Sequence, residues 1–592
     1  MPDSCPVWSL DDLYAGLNSP TLQADMAECQ KAAKQLEAKW RGRLGKLTAN
    51  QLIGVIKSYE TILEHLGKVQ SHAQLLFAAN TNDAAIAKHH QSVREVGAEI
   101  GAALLFVELE LAKIDEGHMA VLLKASGLRH FAPWLRRVRA MAPFQLSDEI
   151  EKMIAERSPT GSGAWVRLFD ETTTSMRFAF QGSEVTEAEI LDALSSTDPA
   201  KRKEAGHSLS TTLKDHQRLL SLIINTIAKD KQIEDGWRGF DRPVSSRNLA
   251  NDVDDNVVDA LVEAVNGRNE DLSHRYYTLK AGWMGKKQID WWDRNAPLPG
   301  DNDRQYSWTD AQEIVLDAFG GFDCDMAEIA KPFFDKNWID AAPRAGKSSG
   351  AFSHPVVPSA HPYILMNFAG KSRDVMTLAH EMGHGIHQVL AAEQGYLMSD
   401  TPLTLAETAS VFAEMLAFRR LVDNESDANV RRLLLAGKVE DMLNTVVRQI
   451  AFHNFETQLH DRRAKAELTA DEISDIWMET QRVALGPAIR IGDDYRSIWG
   501  YVPHFVHTPF YVYAYAFGDC LVNALWQKYQ LAQGNKTDDI FIQNYKDLLK
   551  AGGKDRYDVA LKRFDLDAGK PAFWSLGLDM ISGMIDELEG LA

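Results

Sequence analysis

Apolar residues recur along most of the chain with the period of an α-helix. Between about residues 20 and 157, amphipathic stretches contain few glycines or prolines, for example Leu52 to Leu66 and Ala84 to Ile114. Apolar positions spaced three and four residues apart form one stripe on a helix, so we expect long helices here. The same period returns from Asp310 to the C-terminus. The pattern predicts a mainly α protein.

The helical pattern is interrupted at Ser158–Gly163, whose sequence S-P-T-G-S-G is typical of a loop. A strand is predicted around Ser175 to Phe180, and Thr186–Glu189 has the features of a helix start. A chain of 592 residues is also long for one compact domain. We therefore predict an N-terminal helical domain over residues 1–195 and a second domain over residues 196–592.

Composition limits the partners and the cellular compartment that are compatible with this sequence. The formal net charge of -19 disfavours a nucleic acid or an anionic membrane as a partner. No apolar run is long enough to span a bilayer, and the first residues lack a basic segment followed by an apolar one. The cysteines are scattered, form no C-x-x-C pair and suit a reducing compartment: Cys5, Cys29, Cys324 and Cys520. We expect a cytoplasmic protein.

The segment T-L-A-H-E-M-G-H-G-I-H-Q contains an H-E-x-x-H motif formed by His380, Glu381 and His384. Residues four apart lie on one face of a helix, so the two imidazoles can bind one metal ion while Glu381 projects beside it. Apolar residues on both sides of the motif predict a buried amphipathic helix. Two core histidines with a surface glutamate between them are the alternative. The motif predicts half of a zinc hydrolase site.

A catalytic zinc ion usually takes three protein ligands and keeps a fourth position for water. His387 lies on the same stripe, but a rise of 1.5 Å per residue puts its backbone roughly 10 Å from that of His380, too far for one zinc ion. The longer motif H-E-x-x-H-x-x-G-x-x-H is absent, because His387 and Leu390 occupy the positions of its glycine and third histidine. A glutamate from a following helix remains, and we expect Glu407 to be the third ligand.

Glu407 and Glu414 lie two helical turns apart in the segment L-T-L-A-E-T-A-S-V-F-A-E. Thr404 to Glu407 also has the pattern of a capping box, in which the carboxylate would bind the N-cap amide instead of a metal. We favour the ligand role, because this helix follows a turn region from Gly395 to Pro402 and can fold back against the first helix. Glu414 is then either an acceptor that orients a ligand histidine or an exposed carboxylate.

These two helices resemble the active-site helices of oligoendopeptidase F and its thimet oligopeptidase relatives. The resemblance rests first on H-E-M-G-H-G-I-H-Q and on L-A-E-T-A-S-V-F-A-E. Other segments extend it over much of residues 340–520, with a weaker likeness at the N-terminus: Lys347–Ser353, Pro362–Phe368, Val502–Phe505, Pro509–Tyr515 and Trp8–Tyr14. Their order and spacing make the chain similar to this family of zinc metallopeptidases.

The resemblance implies a fold and a cofactor. The implied fold is a mainly α, bilobal helical shell with a small antiparallel sheet near the zinc helix and a deep substrate channel, and residues 196–592 become the catalytic domain. One zinc ion per chain would be held by His380, His384 and Glu407, with Glu381 as the general base and acid. A deep channel would exclude folded proteins by size and admit short unstructured peptides.

The segments before the motif are compatible with peptide binding. Tyr363 to Phe368 is a short β-prone run, which predicts a strand beside the zinc helix. Gly350 and Ala351 lack bulk, so a peptide backbone could approach theirs and pair as an added strand. An ordinary hairpin turn is the alternative explanation of these two small residues.

The resemblance also assigns roles to residues after the motif. Tyr513 would donate a hydrogen bond to the oxyanion, His504 would contact the transition state, and His507 and Tyr511 would contact the substrate. The spacing between the histidine and the tyrosines is shorter than in the thimet-type pattern, so these roles could pass to a neighbouring aromatic residue such as Tyr515. Core aromatics without a function are the alternative.

The expected function is that of a zinc-dependent oligoendopeptidase, which hydrolyses internal bonds of short peptides by water attack. A zinc exopeptidase of the carboxypeptidase type would share the motif but would need a charged anchor for the peptide terminus, for which Arg490 and Arg496 are candidates. A non-catalytic peptide-binding protein is a second alternative, although every residue that catalysis needs is present.

Overall fold

The computed structural model of the protein describes residues 5–300 and 305–591. Helices account for most of these residues, which confirms the mainly α class. The first fifteen α-helices are α1 Pro20–Trp40, α2 Ala49–Ala79, α3 Ala84–Leu104, α4 Phe106–Ala112, α5 Glu116–Leu122, α6 Ser126–Arg129, α7 Ala132–Ala140, α8 Asp148–Arg157, α9 Ser162–Ser175, α10 Glu187–Ala193, α11 Pro199–Asp215, α12 Gln217–Arg238, α13 Ser245–Ala250, α14 Asp255–Asn266 and α15 Arg275–Trp283.

The remaining α-helices include the predicted zinc helix, which is α18. They are α16 Trp308–Phe322, α17 Cys324–Asp335, α18 Ser372–Ala391, α19 Tyr396–Ser399, α20 Leu403–Ala406, α21 Thr408–Asp423, α22 Ala428–Thr445, α23 Val447–Arg463, α24 Ala470–Leu485, α25 His504–His507, α26 Tyr513–Asn535, α27 Asp538–Ala551, α28 Tyr557–Lys562 and α29 Pro571–Gly590. Within the described ranges, none of the helices has the length and apolar character that crossing a membrane requires. The cytoplasmic location stays a prediction.

Among the described residues, the strands are short and form three small sheets. They are β1 Phe178–Phe180, β2 Ser183–Val185, β3 Ile289–Asp290, β4 Ile339–Asp340, β5 Phe352–His354, β6 Tyr363–Leu365 and β7 Ile489–Arg490. Strands β1 and β2 form an antiparallel hairpin, and β3 pairs with β7 in parallel. The third sheet has the order β4-β6-β5, in which β6 is parallel to β4 and antiparallel to β5. The sheet beside α18 is therefore mixed, whereas the sequence predicted an antiparallel one.

Most predicted elements lie where the periodicity placed them, with local differences. The stretch predicted as one helix over residues 84–114 is divided at Leu105 into α3 and α4. The predicted strand near residue 178 is β1. Thr186 caps α10, because its hydroxyl accepts the Glu189 amide at 3.4 Å while the Glu189 carboxylate accepts the Thr186 amide at 2.8 Å.

The chain divides into two compact units, each built from three stretches of sequence. Unit 1 comprises residues 1–143, 303–424 and 528–566. Unit 2 comprises residues 144–302, 425–527 and 567–592. The predicted domain division at residue 195, the bilobal shell and the substrate channel stay predictions.

The core of unit 1 surrounds the three-stranded sheet. Strand β6 is the central strand, and Tyr363, Ile364 and Leu365 are fully buried. The ring of Trp8, near the N-terminus, lies edge-on to Tyr363 with 5.8 Å between the ring centroids. Helix α18 contacts β5 and β6 as well as α16, α17, α21 and α27. The buried sheet thus supports the helix that carries the H-E-x-x-H motif.

Unit 2 has an aromatic core around α23 and α24. The buried indole of Trp477 contacts the rings of Phe452, Phe455 and Tyr495. Its N–H donates to the Tyr495 carbonyl at 3.1 Å, so the one polar atom of this side chain is satisfied. This packing fixes α23, on which three buried ionisable side chains lie.

Candidate metal centre and surrounding residues

Helix α18 is amphipathic, and a carboxylate closes its N-terminus. Asp374 accepts hydrogen bonds from the amides of Ala369 at 2.8 Å and Lys371 at 3.0 Å. These bonds satisfy amides at the start of the helix and place a negative charge at the positive end of its dipole. Apolar side chains on one stripe are buried: Val375, Leu378, Ala379, Met382 and Ile386. Burial of this stripe fixes the rotation of the helix and hence the direction of the motif histidines.

The structure brings the three predicted metal ligands together. The Nε2 atoms of His380 and His384 each lie 3.4 Å from Oε2 of Glu407. The two imidazole centroids are 5.0 Å apart, and the ring planes cross at 81°. One nitrogen or oxygen atom from each of the three residues lies within 4.8 Å of the others. We call these three residues the metal cluster.

Glu407 lies between α20 and α21, and its contacts differ from those of a capping box. Its carboxylate accepts a hydrogen bond from the Ser410 hydroxyl at 2.7 Å. The Thr404 hydroxyl, which would cap the helix in that alternative, is buried without a hydrogen-bond partner among the described residues. These contacts therefore favour the metal-ligand role of Glu407 over the capping box, because its carboxylate faces the motif histidines.

Glu414 contacts the other nitrogen of His380. The Nδ1 atom donates to Oε2 of Glu414 over 3.3 Å, so both ring nitrogens of His380 face carboxylates. A carboxylate at this position fixes the ring orientation and the tautomer of a ligand histidine. Of the two roles left open by the sequence, this contact fits that of the orienting acceptor.

Close contact between α18 and α21 makes the metal cluster possible, and Gly383 permits that contact. A Cβ atom at Gly383 would lie 2.5 Å from the Ala409 carbonyl oxygen and 2.7 Å from the Ser410 Cα. No side chain fits there without separating the two helices. Gly383 was not among the predicted site residues, although a glycine between the two motif histidines is a signal that the sequence contains.

The carboxylates change the proton affinities within the metal cluster. Burial opposes protonation of His380, but the hydrogen bond that His380 donates to Glu414 and the nearby carboxylate charges outweigh it and raise the pKa of the imidazole. Burial would raise the pKa of Glu407, but contacts with His384, His380 and Ser410 hold that pKa at about 2. Burial raises the pKa of Glu381, and the two motif histidines reduce this effect. The side chain of Glu381 is 7% exposed.

His387 is outside the metal cluster. It is buried, and its Nε2 atom is hydrogen-bonded to the Thr401 hydroxyl at 3.2 Å. Burial, together with the neighbouring His384, lowers its pKa to about 4. A neutral histidine with a hydroxyl partner supports the core on this side of α18.

Strand β5 and the loop before it lie beside α18. In the described part of the chain, β6 is the only strand that pairs with β5, so β5 is an edge strand. The Ser353 hydroxyl donates to Gln388 on α18 at 2.9 Å, and the Gln388 amide donates back to the Ser353 carbonyl at 3.2 Å. Gly350 has a φ of +84°, and a Cβ at this position would have no neighbour within 4 Å. Gly350 and Ala351 thus lead into an edge strand next to the metal cluster.

A buried charge network holds the preceding loop. The Asp340 carboxylate accepts two hydrogen bonds from Arg344, at 2.6 and 2.7 Å. The Lys347 ammonium lies 2.7 Å from the same carboxylate and donates to the Asp340 carbonyl at 2.9 Å. Because Asp340 and Lys347 are both fully buried, this network fixes the path of the chain toward Gly350.

The predicted residues of unit 2 fall into two environments. His504 is hydrogen-bonded to the Tyr515 hydroxyl at 3.1 Å, and the Tyr511 ring packs against both side chains. Tyr513 is fully buried, and its hydroxyl accepts a hydrogen bond from Asn251 at 2.9 Å. Burial raises the pKa of Tyr513 well above its usual value. His504, Tyr511 and Tyr515 thus form one aromatic cluster, and Tyr513 belongs to the core of unit 2.

His507 lies outside that aromatic cluster. Its Nε2 atom donates to Asp170 at 2.6 Å, and its ring lies edge-on to Phe169. The side chain of His507 is 40% exposed, so this pairing leaves part of the ring accessible. Its predicted substrate contact stays a prediction.

Glu456, which was not among the predicted site residues, supports the backbone next to the aromatic cluster. Phe510, which precedes Tyr511, has a φ of +62°, a left-handed conformation that is strained for a bulky residue. Glu456, on α23, accepts the Phe510 amide hydrogen at 2.8 Å and stabilises this conformation. The Phe510 ring contacts His453 and His460 on the same helix. No local sequence signal marks Glu456, because its partner lies 54 residues away.

Two known protein-family descriptions match parts of this chain. Residues 322–580 match Peptidase family M3, and residues 110–178 match the description Oligopeptidase F. The first match contains the metal cluster and the aromatic cluster. Together the matches reach from the N-terminal helices to α29.

Individual relatives match over nearly the whole chain. Oligopeptidase PepF of Bacillus subtilis is 25% identical over 99% of this chain and 87% of that relative. The chromosomal oligoendopeptidase F of Lactococcus lactis subsp. cremoris is 26% identical over 92% of this chain and 90% of that relative. The crystal structure of oligoendopeptidase F from Enterococcus faecium superimposes with a TM-score of 0.70 at 21% identity, covering 96% of this chain and 98% of that one.

Proposed function

Because this chain belongs to peptidase family M3 and is a metallo-endopeptidase, we propose that it is a zinc-dependent oligoendopeptidase that hydrolyses internal bonds of short unstructured peptides. The observation that carries the proposal is the metal cluster on α18 and the start of α21. The names of the relatives describe oligopeptidases, which supports short peptides as the substrate class.

The donor set fits a zinc ion. Two imidazole nitrogens and one carboxylate oxygen are ligands that catalytic zinc sites use. On a tetrahedral zinc ion with bonds of about 2.0–2.1 Å, two ligand atoms lie roughly 3.4 Å apart. The distances from the Nε2 atoms of His380 and His384 to Oε2 of Glu407 are both 3.4 Å. We infer that these residues are the zinc ligands and that Glu414 orients His380.

The proposed reaction uses Glu381 for proton transfer. When bound, a zinc ion supplies a Lewis acid that acidifies a water molecule and polarises a peptide carbonyl. Glu381 accepts the proton of the attacking water and passes it to the leaving nitrogen, which completes cleavage without a covalent intermediate. Its place in the motif, between two ligand histidines on adjacent turns, supports this role.

Oxyanion stabilisation is assigned to the aromatic cluster. Removal of one such hydrogen-bond donor typically costs a factor of about a hundred to a thousand in turnover. The exposed Tyr515 hydroxyl and His504 are better supported as donors than Tyr513, whose hydroxyl is buried against Asn251. Tyr511 and His507 are proposed substrate contacts. We therefore shift the predicted tyrosine role from Tyr513 to Tyr515 within the group.

Peptide binding is assigned to the edge of β5. A substrate in extended conformation would pair with the backbone of Gly350 and Ala351, where the absence of large side chains allows a close approach. Backbone pairing recognises a peptide with little regard to its side chains, as an enzyme for varied short peptides requires.

The two arginines that could anchor a peptide terminus in an exopeptidase are already paired. Arg490 binds Asp290, with its Nε atom 2.6 Å from the carboxylate. Arg496 lies 2.7 Å from the carboxylate of Asp475. These pairings favour the endopeptidase over the exopeptidase alternative.

A peptide digest tests the proposal. The purified protein is incubated with unstructured peptides of about five to twenty residues, with and without a zinc chelator, and the products are identified by mass spectrometry. We expect internal cuts that the chelator abolishes and added zinc restores. Sequential loss of single terminal residues would establish an exopeptidase instead.

Substitution of Glu381 tests its role in proton transfer separately from metal binding. Glu381→Gln should lower turnover by a factor of about 10² to 10⁴ while bound zinc stays at the wild-type level. Glu393→Gln, an exposed carboxylate beyond the end of α18, is the matched control and should leave both quantities unchanged. A Glu381→Gln protein that cleaves peptides at the wild-type rate would refute the assigned mechanism.

A further inference from the structure

A cavity of about 470 Å³ lies in unit 1, at the end of β5. Helices α2 and α3 form one side, and the chain that leaves β5 forms another. Its polar lining consists of Gln70, Ser71, Gln74, His90, Arg94, His354 and Tyr396. We call it the β5 pocket.

The lining of the β5 pocket contains a positive charge and no carboxylate. Arg94 is exposed and makes neither a hydrogen bond nor an ion pair with any of the residues that the structure describes. The neighbouring residues of the pocket add neutral donors. The lining therefore suits a negatively charged group.

The donors around Arg94 are held by packing. The His90 ring stacks on Phe77 with 4.7 Å between centroids, which fixes its plane. Gln70 lies across α3 at Gly97, where a Cβ atom would be 2.3 Å from the amide nitrogen. Burial lowers the pKa of His90, and the charge of Arg94 lowers it further, so His90 is a neutral partner near neutral pH. A guanidinium with amide and hydroxyl donors beside it matches the planar, bidentate geometry of a carboxylate.

The β5 pocket is continuous with the strand next to the metal cluster. Ser353 is bonded to Gln388 of α18, and the next residue, His354, lines the pocket. A strand advances about 3.3 Å per residue, so a peptide along this edge would reach the pocket within a few residues. Val356, with a φ of +61°, turns the chain out of the strand, and its amide donates to His354 Nδ1 at 3.2 Å. Val356 also lines the pocket.

We propose that the β5 pocket is a subsite for a carboxylate of the peptide substrate, with Arg94 as the residue that binds it. The inference rests on the proposed function, because it assumes that peptides pair with β5. The carboxylate belongs either to the C-terminus of a short peptide or to an acidic side chain a few residues from the cleaved bond.

Matched peptides test the proposal. One pair carries a free or an amidated C-terminus, and a second set replaces each Glu by Gln. We expect kcat/KM to be about tenfold to a hundredfold higher for one carboxylate form, as is typical of a charge-assisted pair. Arg94→Ala should remove that preference, Arg94→Lys should retain part of it, and Arg94→Glu should favour the neutral peptides. The set that responds identifies the source of the carboxylate.

A control and a second readout keep this test independent of turnover. Lys88→Ala removes an exposed charge from the same helix outside the pocket, and should retain the preference. Equilibrium binding of the same labelled peptides to the Glu381→Gln protein measures the preference without cleavage. Equal affinity for carboxylate and neutral peptides, or an unchanged preference in Arg94→Ala, would overturn the subsite. Absence of cleavage together with a carboxylate-dependent affinity would instead refute the proposed enzymatic function and support the subsite.

Discussion

The metal cluster in unit 1 and the buried group on α23 in unit 2 both contain histidines and a glutamate, yet their proton affinities move in opposite directions. In the metal cluster, carboxylates contact the imidazoles and raise the pKa of His380. On α23, burial lowers the pKa of His453 to about 4 and that of His460 to about 3. Burial raises the pKa of Glu456 to about 8.

The difference shows which surroundings keep ionisable side chains in a form that can bind a cation. A carboxylate in contact with imidazoles keeps its charged form, and the Glu407 carboxylate therefore stays available to a metal ion. Apolar packing favours the neutral forms, so the group on α23 serves as a packing surface and supplies one hydrogen-bond acceptor to Phe510. Residue type alone does not distinguish the two groups.

Removal of a histidine from each group should give the largest contrast. We expect His384→Ala to lose bound zinc and to lower peptidase activity by more than about a hundredfold, because two remaining ligands do not hold the ion. His453→Ala should retain the zinc. Metal analysis by mass spectrometry on both purified proteins measures the difference, and equal zinc content would contradict the ligand assignment.

Glu414→Ala should have a smaller effect on zinc binding. Loss of the carboxylate that binds His380 Nδ1 should weaken zinc affinity by about tenfold to a hundredfold, as is typical of residues that orient a metal ligand. Competition with a chelator of known affinity measures this change. Unchanged affinity would show that Glu414 is a surface carboxylate without a role in the cluster.

Gly383→Ala tests the helix contact that assembles the metal cluster. The added methyl group would lie 2.5 Å from the Ala409 carbonyl, so we expect a loss of about 2 kcal/mol in the free energy of unfolding. Gly437→Ala, in α22, is the control, because a Cβ there meets no atom within 4 Å and alanine favours a helix. Urea unfolding measures both variants, and equal stability would show that α18 and α21 adjust without cost.

The effect confined to one pH range is the pH dependence of stability contributed by Glu456. Its pKa is about 8 in the folded protein, above the ordinary value of 4.5, so the folded state holds a proton that the unfolded state has lost. Stability therefore falls as pH rises through this window, by at most about 1.4 kcal/mol per pH unit. His453 and His460 have lowered pKa values, so their contribution is lost as pH falls below about 6.5.

Glu456→Gln isolates the contribution of that carboxyl group. Between about pH 6.5 and 8, the wild type should lose stability relative to this variant, because glutamine keeps an acceptor for the Phe510 amide and does not titrate. Urea unfolding at several pH values measures the difference between the two proteins. Parallel curves would show that Glu456 is ionised in the folded state.

The helical class and the metal cluster could be predicted because their signals are local. Periodicity marks a helix within a few turns, and the motif places His380 and His384 on one face without knowledge of the fold. Glu407 required one further assumption, that the next helix folds back. The structure supports that assumption through Gly383, whose importance depends on a partner helix that the sequence does not identify.

The tyrosines after the motif show where local reasoning ends. The sequence left their roles interchangeable, but Tyr511 and Tyr515 contact His504, whereas Tyr513 is buried against Asn251. Which side of α26 faces the core depends on α13 and α23, far away in the sequence. The mixed sheet and the three-segment units escaped prediction for the same reason, since each depends on contacts between distant segments.

The three-segment construction of each unit has a consequence for the order in which the protein can fold during synthesis. Unit 1 requires residues 528–566, and unit 2 requires the residues that follow them. The Tyr545 hydroxyl, in α27, donates to the Thr408 carbonyl at the start of α21, next to Glu407. Domains usually fold as units from the N-terminus while the chain is made. Here the proposed metal ligands leave the ribosome well before α27, so the metal cluster gains this support only after residues 528–566 have been made.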